Sequence, residues 1–218
     1  KLQKLNLDMN SLDEEETRVK SLQEKLEKSI EAIIHKNAHV VYHNCHLLSD
    51  KSKAITNSRV LKADLVADLV INGNTLVTSS VVVSRDSLLS VNGFDESISA
   101  VGWEDYHLWI KLAKLPGEFY KLNEALGICW QGDDNFDNPK RVLINLIQIE
   151  KYFEQELSND VELSKIWWLS YTRARAYLKI DNRMLAKQSL NEVLFNESPY
   201  IYKLKSLYYW IFVLPFLS

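Results

Sequence analysis

The stretch VGWEDYHLWIKLA, from Val101 to Ala113, places two adjacent carboxylates at the start of a segment that is otherwise almost wholly apolar. Glu104 and Asp105 stand between large aromatic side chains. The sequence predicts a helix from Glu104 to Lys114 that is ended by Pro116 and the glycine after it. The acidic pair therefore either caps this helix or performs chemistry at its first turn.

Position alone supports two interpretations of Glu104 and Asp105. Acidic residues in the first turn complement the partial positive charge of a helix start, for about 0.3–1 kcal/mol each. A cap needs only one acid, however, and it does not need Trp103 and Tyr106 on either side. Aromatic rings beside a carboxylate are also typical of carbohydrate sites, which are mostly apolar with a few placed polar groups. The pair can both cap and catalyse.

Bulk composition is that of an ordinary globular protein. The chain has 218 residues, of which 46% are hydrophobic and 25% charged, with a formal net charge of −3. This length allows one sizeable core with an appendage, and the charge argues against a dedicated nucleic-acid binder. Two cysteines, Cys45 and Cys129, fit a reducing compartment. We expect a cytoplasmic protein, in part because no signal peptide follows Lys1 and no apolar run reaches the length of a spanning helix.

Periodicity along the chain predicts an α/β body over residues 1–135 and a helical extension over 136–218. A helix is expected from the capping-box pattern at Ser11 onward, with its large apolar residues facing the core. Strands are expected at 39–45 and 78–84, where β-branched and aromatic residues run together, and a short strand is expected within 119–129. The segment 61–71 is ambiguous, because its apolar spacing suits a short helix better than a strand. Four helices follow, opening near residues 138, 160, 183 and 199. The apolar face predicted for the first helix consists of Val19, Leu22, Leu26, Ile30 and Ile33.

An ordered series of short motifs includes the acidic pair. A small-residue strand at 78–84 is followed by a Gly-Phe-Asp-Glu turn at 93–96 and an aromatic-Glu-Asp-aromatic helix start at 103–106. This order resembles the family 2 glycosyltransferases, and the resemblance covers about residues 1–150. It implies an α/β fold, a partial GT-A (Rossmann-like) sheet with flanking helices, followed by an all-helical tail. It also implies an inverting transferase that uses a nucleotide-sugar donor.

The resemblance implies roles for individual residues. Asp105 would be the general base that removes a proton from the acceptor hydroxyl, and Glu104 would orient it or contact the acceptor. Small polar residues of the strand at 78–84 would either reach the sugar or allow close packing, and the role of His107 is equally open. The substrate-binding residues implied are Trp103, Tyr106, His107, Asn74, Thr78 and Ser79.

The resemblance also implies parts that this sequence does not contain. The family's donor-binding half, with an Asp-x-Asp motif for a divalent metal, is expected to precede Lys1. The chain is therefore expected to be the acceptor-side portion and to be inactive alone. Gln131 stands about where many relatives carry a histidine that assists the cation, and it is a poor ligand for such an ion. We expect Mg²⁺ or Mn²⁺ in the complete enzyme, with its main ligands outside this chain and none within it.

Two further features leave alternatives open. His39, His43 and Cys45 would share one face of a strand, but their spacing matches no standard zinc site, so a partly exposed strand with incidental histidines is expected. In the tail, 174–199 resembles a single tetratricopeptide hairpin, which is too little for a peptide-binding array. The lysine- and aromatic-rich segment 199–214 fits either a helix in a membrane interface or a core or oligomer contact.

These alternatives define the expected partners and the rival function. A family 2 transferase would take a nucleotide-sugar donor and a carbohydrate or lipid-linked acceptor, in the synthesis of a polysaccharide or another glycan. Homo-oligomers and peripheral contact with the inner face of a membrane through 199–214 are further expectations. The rival is a non-catalytic interaction module whose helical tail binds a protein partner or a membrane surface.

Overall fold

The computed structural model describes residues 2–49, 52–96, 102–130, 138–156 and 166–213. Helices and strands alternate up to residue 130, and the described chain beyond it is helical. The mixed α/β class with a helical C-terminal part is thereby confirmed. The elements are α1 (Leu2–His35), β1 (Ala38–Ser49), β2 (Ser52–Ile55), α2 (Leu65–Asn72), a 3₁₀ turn (Thr78–Ser80), β3 (Val82–Val83), α3 (Arg85–Ser90), α4 (Glu104–Ala113), β4 (Glu118–Trp130), α5 (Pro139–Glu156), α6 (Trp167–Lys179), α7 (Arg183–Phe195), α8 (Tyr200–Tyr208) and a π-helical turn (Tyr209–Val213).

The chain forms two compact units that do not coincide with a single cut in the sequence. The sheet unit comprises Lys1–Leu61, Thr75–Gly93 and Lys111–Asp133. The helical unit comprises Lys62–Asn74, Phe94–Ile110 and Asp134–Ser218. Thus α2 and the start of α4 pack with the helices of the tail, although both precede the predicted boundary at residue 135. That boundary, as the end of a family domain, stays a prediction.

Strand β1 is the centre of a four-stranded mixed sheet in the sheet unit. It pairs antiparallel with β2 and β3, with His46 opposite Ile55 and Val40 opposite Val83. On its other side it pairs in parallel with β4, where Val41 lies opposite Tyr120. Val40 and Val41 are fully buried, as expected for a strand covered on both faces.

The strand predicted at 78–84 is shorter than expected. Its first part is the 3₁₀ turn, and only Val82 and Val83 pair with β1. The backbone N–H and the hydroxyl of Ser80 both donate to the carbonyl of Val77, each over 2.7 Å. Such local hydrogen bonds from serine compete with the ladder of a sheet, which explains why the β-branched run does not extend fully.

Helix α1 packs on the sheet mainly through its small residues, and four of the five residues of the predicted apolar face are exposed instead. Ser29 and Ala32 are buried, and Ala32 packs against Ala38 and Val41 of β1. The Ser21 hydroxyl on the same face donates to the carbonyl of Leu126 over 3.1 Å. Small side chains let the helix lie close to the sheet, and Ile33 is the member of the predicted face that packs against this cluster. The exposed fractions are 61% for Val19, 57% for Leu22, 51% for Leu26 and 51% for Ile30.

The histidines of β1 are buried, contrary to the expectation of a partly exposed strand. His39 is 6% exposed and His43 is fully buried. Nε2 of His39 lies 3.0 Å from the carbonyl oxygen of Leu112, and Nδ1 of His43 lies 2.7 Å from that of Asn44. The parallel pairing with β4 covers this strand, which local sequence pattern did not reveal. These histidines are therefore core residues.

The sheet unit should lose stability in mild acid because His43 is buried. Burial lowers the pKa of His43 below its ordinary 6.5, and the nearby Lys25 ammonium lowers it further. The unfolded chain then binds the proton more readily, so this contribution to stability is present above pH 6.5 and is lost as the pH falls through the folded pKa. The urea concentration at the midpoint of unfolding should be lower at mildly acidic pH than at neutral pH. This decrease should be smaller in His43→Gln. His46→Gln, in an exposed histidine of the same strand, is the control; an unchanged pH dependence in His43→Gln contradicts the prediction.

The two cysteines should differ in reactivity. Burial, and then the neighbouring Cys129 thiol, raise the pKa of Cys45 to about 12. At pH 8 only on the order of 10⁻⁴ of Cys45 is ionised, and it should react slowly because the thiolate is the nucleophile. Cys129 is half-buried. Iodoacetamide at that pH should label Cys129 first and Cys45 only after unfolding, as read by peptide mass spectrometry. Equal labelling of both thiols in the folded protein is the contrary result.

Candidate functional site

Tyr106 anchors the start of α4 inside the helical unit. Its side chain is 4% exposed, and its hydroxyl donates to the carbonyl of Leu69 in α2 over 2.7 Å. Its ring lies edge-on to Phe153 of α5 and Trp168 of α6, at centroid distances of 6.2 and 5.9 Å. Trp168 in turn donates from Nε1 to the carbonyl of Val70 over 2.8 Å. Three helices, α2, α5 and α6, thus fix the turn of α4 that carries the acidic pair.

Trp103 and His107 add a second set of contacts to α5. Both side chains are buried, at 5% and 6% exposure. The indole Nε1 of Trp103 donates to Oε1 of Gln148 over 3.3 Å, and the His107 ring lies edge-on to Tyr152 with centroids 4.5 Å apart. The surfaces of these rings are largely covered by protein. The described contacts therefore give the aromatics a packing role, and direct binding of substrate by them stays a prediction.

The acidic pair makes the backbone contacts expected of a helix start. Oε2 of Glu104 accepts from the Gly102 N–H over 2.5 Å, and Oδ1 of Asp105 accepts from the Tyr106 N–H over 2.6 Å. Both side chains are half-buried. A carboxylate has two oxygens with about four acceptor sites, so one backbone bond does not exhaust its capacity. Capping and proton transfer are compatible at this position.

The remaining predicted residues are exposed and fall in both units. Asn74 follows α2 in the helical unit, whereas Thr78 and Ser79 belong to the 3₁₀ turn of the sheet unit. The Ser79 hydroxyl lies 3.0 Å from Sγ of Cys129, and its carbonyl accepts from Nζ of Lys25 over 2.8 Å. Lys25 and Cys129 were not predicted, because each lies at least 50 residues from Ser79 and no local pattern connects them.

A resident metal does not fit the described residues. Across the described ranges, no three His, Cys, Asp or Glu side chains lie close enough together to share a metal ion. Gln131 and the Asp133–Asp134 pair fall outside those ranges. The divalent metal expected for a complete enzyme stays a prediction.

The fold and the site together define a mixed α/β protein with an acidic pair on the first turn of a buried helix. Residues 7–128, more than half of the chain, match the family described as glycosyltransferase like family 2. The chain belongs to that family, and its function is in general glycosyl transfer. The resemblance read from the motifs is thereby confirmed. No curated protein and no solved structure matches the chain.

Among the residues that the structure describes, no helix is both long enough and apolar enough to span a bilayer.

Proposed function

We propose that this chain supplies the acceptor side of an inverting sugar transfer from a nucleotide-sugar donor, with Asp105 as the general base. The observation that carries the proposal is the placement of Asp105. It is a half-buried carboxylate on the first turn of α4, within the region that matches the family. The buried Tyr106 beside it holds that turn through a hydrogen bond of 2.7 Å and two ring contacts.

In this proposal, Asp105 accepts the proton of the acceptor hydroxyl. An acceptor hydroxyl is a poor nucleophile near neutral pH, and a base that takes its proton in the transition state contributes about 10²- to 10⁴-fold. The acceptor oxygen bonds to the anomeric carbon as the bond from that carbon to the nucleotide diphosphate breaks. The proton passes to the Asp105 carboxylate, and the nucleotide diphosphate leaves with the electron pair. Attack from the face opposite the leaving group inverts the anomeric configuration.

The neighbouring residues have positioning roles in this proposal. Glu104 binds the Gly102 N–H and so fixes the turn that presents Asp105. Trp103, Tyr106 and His107 are buried and hold the helix start against α2, α5 and α6. The exposed polar side chains of Asn74, Thr78 and Ser79 are proposed to contact the donor or the acceptor.

Product stereochemistry tests this function. The protein, expressed from its complete reading frame, is incubated with a panel of nucleotide sugars and with carbohydrate or lipid-linked acceptors. Proton NMR of the first product should show an anomeric configuration opposite to that of the donor. A product with the donor's configuration contradicts the direct displacement. If no nucleotide sugar is consumed with any acceptor, the non-catalytic interaction module is favoured. The exposed large apolar side chains of α8 are the observation that supports this module.

A further inference from the structure

Helix α8 presents its apolar face outward. Its Ser206 is fully buried. Tyr202 faces the same side, and the centroid of its ring lies 4.2 Å from that of the Trp167 ring. A helix on the surface of a globular protein normally shows the opposite arrangement, with polar residues outward. The outward face, here called the apolar face, consists of Tyr200 (75% exposed), Ile201 (53%), Leu204 (44%), Leu207 (43%) and Tyr208 (57%).

Two lysines border this apolar face symmetrically. At 3.6 residues per turn its five residues occupy an arc of about 120°. Lys203 lies about 40° beyond one edge of the arc and Lys205 about 40° beyond the other. Residues 199–218 contain no Asp or Glu. The face is therefore an apolar stripe between cations, without a carboxylate on its own segment.

The π-helical turn extends the stripe. Ile211 is 43% exposed and Phe212 is 58% exposed. The centroid of the Phe212 ring lies 5.5 Å from that of the Tyr208 ring. Trp210, on the inner side, is half-buried under the ammonium of Lys187, which lies 4.7 Å from the ring centroid. The apolar surface thus continues beyond α8 and gains a further neighbouring cation.

A basic cleft opens beside the apolar face. It has a volume of about 470 Å³ and is lined by Arg175 and Lys205 among tyrosines and Leu204. An adjoining cleft of about 210 Å³ shares Arg175 and adds Lys179. In the part of the chain that the structure describes, no carboxylate lines either cleft. Cations among tyrosine hydroxyls suit a phosphate group that sits at the level of the lysines.

We propose that α8 and the π-helical turn dock on the surface of an anionic phospholipid bilayer. The apolar face would enter the boundary between headgroups and acyl chains, and the basic cleft would receive a lipid phosphate. Lysines that border an apolar face keep their ammonium groups at the headgroup level while their stems cover apolar surface. Lysine is depleted in protein–protein interfaces, which makes a second copy of the chain the poorer occupant. This inference is independent of the proposed catalysis, because it requires no turnover.

Vesicle sedimentation tests the inference directly. The full chain is mixed with vesicles of phosphatidylcholine containing about one-third phosphatidylglycerol, and separately with pure phosphatidylcholine. Binding to the anionic vesicles should be at least about tenfold tighter, and it should weaken with salt. Leu204→Asp should lower it roughly tenfold or more, because a leucine that would enter the bilayer is replaced by an anion. The Lys203→Gln/Lys205→Gln pair should weaken binding at low salt.

Matched variants keep the test specific. Ile144→Asp changes an apolar residue of α5 that is 54% exposed, and it should bind vesicles as the wild type does. Tyr208→Gln repeats the test of the apolar face if Leu204→Asp lowers the melting temperature. Equal losses of vesicle binding in Ile144→Asp and Leu204→Asp would overturn the proposal. Absence of wild-type binding to the anionic vesicles would overturn it as well. Light scattering that shows a dimer abolished by Leu204→Asp, without vesicle binding, would assign the face to a second copy. Binding of soluble glycerol phosphate without vesicle binding would likewise overturn it.

Discussion

Asp105→Asn should lower kcat for sugar transfer by about 10²- to 10⁴-fold, the contribution of a positioned general base. Asparagine keeps the shape of the side chain and one carbonyl oxygen, so the contact of Oδ1 with the Tyr106 N–H can persist. It cannot take a proton from an acceptor hydroxyl. An interaction made only in the transition state affects kcat and kcat/KM equally, so KM for the donor should change little. Steady-state kinetics on the protein expressed from its complete reading frame measures both quantities.

A pure capping role makes a different prediction for the same variant. Loss of a favourable charge at a helix start would cost about 0.3–1 kcal/mol of stability and leave kcat unchanged. Asp86→Asn is the matched control, because Asp86 is an exposed acid in the first turn of α3. It should leave kcat unaltered. Glu104→Gln should lower kcat less than Asp105→Asn, since Glu104 acts on the turn and not on the proton. Retention of kcat within about twofold in Asp105→Asn would remove the catalytic assignment.

Phe153→Ala should destabilise the helical unit by about 3–5 kcal/mol, the usual cost of deleting a buried aromatic ring. The Phe153 side chain is 2% exposed and contacts the rings of Tyr106 and Tyr152 at centroid distances of 6.2 and 6.1 Å. The cavity would lie directly beneath the start of α4. We therefore expect lower activity together with the loss of stability, measured by urea unfolding of both the wild type and the variant.

Two controls identify the origin of that loss. Phe153→Leu retains most of the apolar volume and should cost less than Phe153→Ala. Ile147→Ala lies on the same helix at a position that is 64% exposed, and it should change stability by less than about 0.5 kcal/mol. A loss in Phe153→Ala no larger than that in Ile147→Ala would show that Phe153 is not part of the core that holds α4.

Local patterns were sufficient to predict most elements near the site. The acidic first turn and Pro116 bounded α4 to within a residue of its observed end at Ala113. The helix predicted to open near residue 138 is α5, and the side-chain oxygen of Asn138 accepts from the N–H groups of Lys140 and Arg141 over 3.1 and 3.4 Å. These signals are short-range in sequence, which is why they can be read without a structure.

The contacts that position the site could not be predicted in this way. An aromatic residue beside a carboxylate can present its face to a sugar or to the protein, and composition does not distinguish the two. Tyr106 is buried because α2 and α6 reach it, with the carbonyl of Leu69 37 residues away in sequence. The outward face of α1 and the burial of His43 have the same cause, since distant strands and small residues determined the packing.

The helical tail contains one region whose helices were predicted and one segment that the sequence left open. The helices in the region of the predicted hairpin are α6 and α7, which are joined by residues 180–182 and packed through Ala174, Ala186 and Leu190, and their likeness to a tetratricopeptide unit stays a prediction. The segment at 199–214 was left open between a core helix and an interfacial one. The apolar residues of α8 are exposed, and this is a property of tertiary packing that its lysine- and aromatic-rich composition did not decide.

The distance from the Asp105 carboxylate to the acceptor hydroxyl decides whether Asp105 is the general base. It can be measured in a crystal structure of the protein with a nucleotide diphosphate and the acceptor that the transfer assay identifies. We expect an Asp105 oxygen to lie about 2.6–3.2 Å from the hydroxyl oxygen that becomes glycosylated, or to be joined to it by one water. An acceptor hydroxyl held by a different basic side chain, with Asp105 in contact only with the backbone of α4, would contradict it.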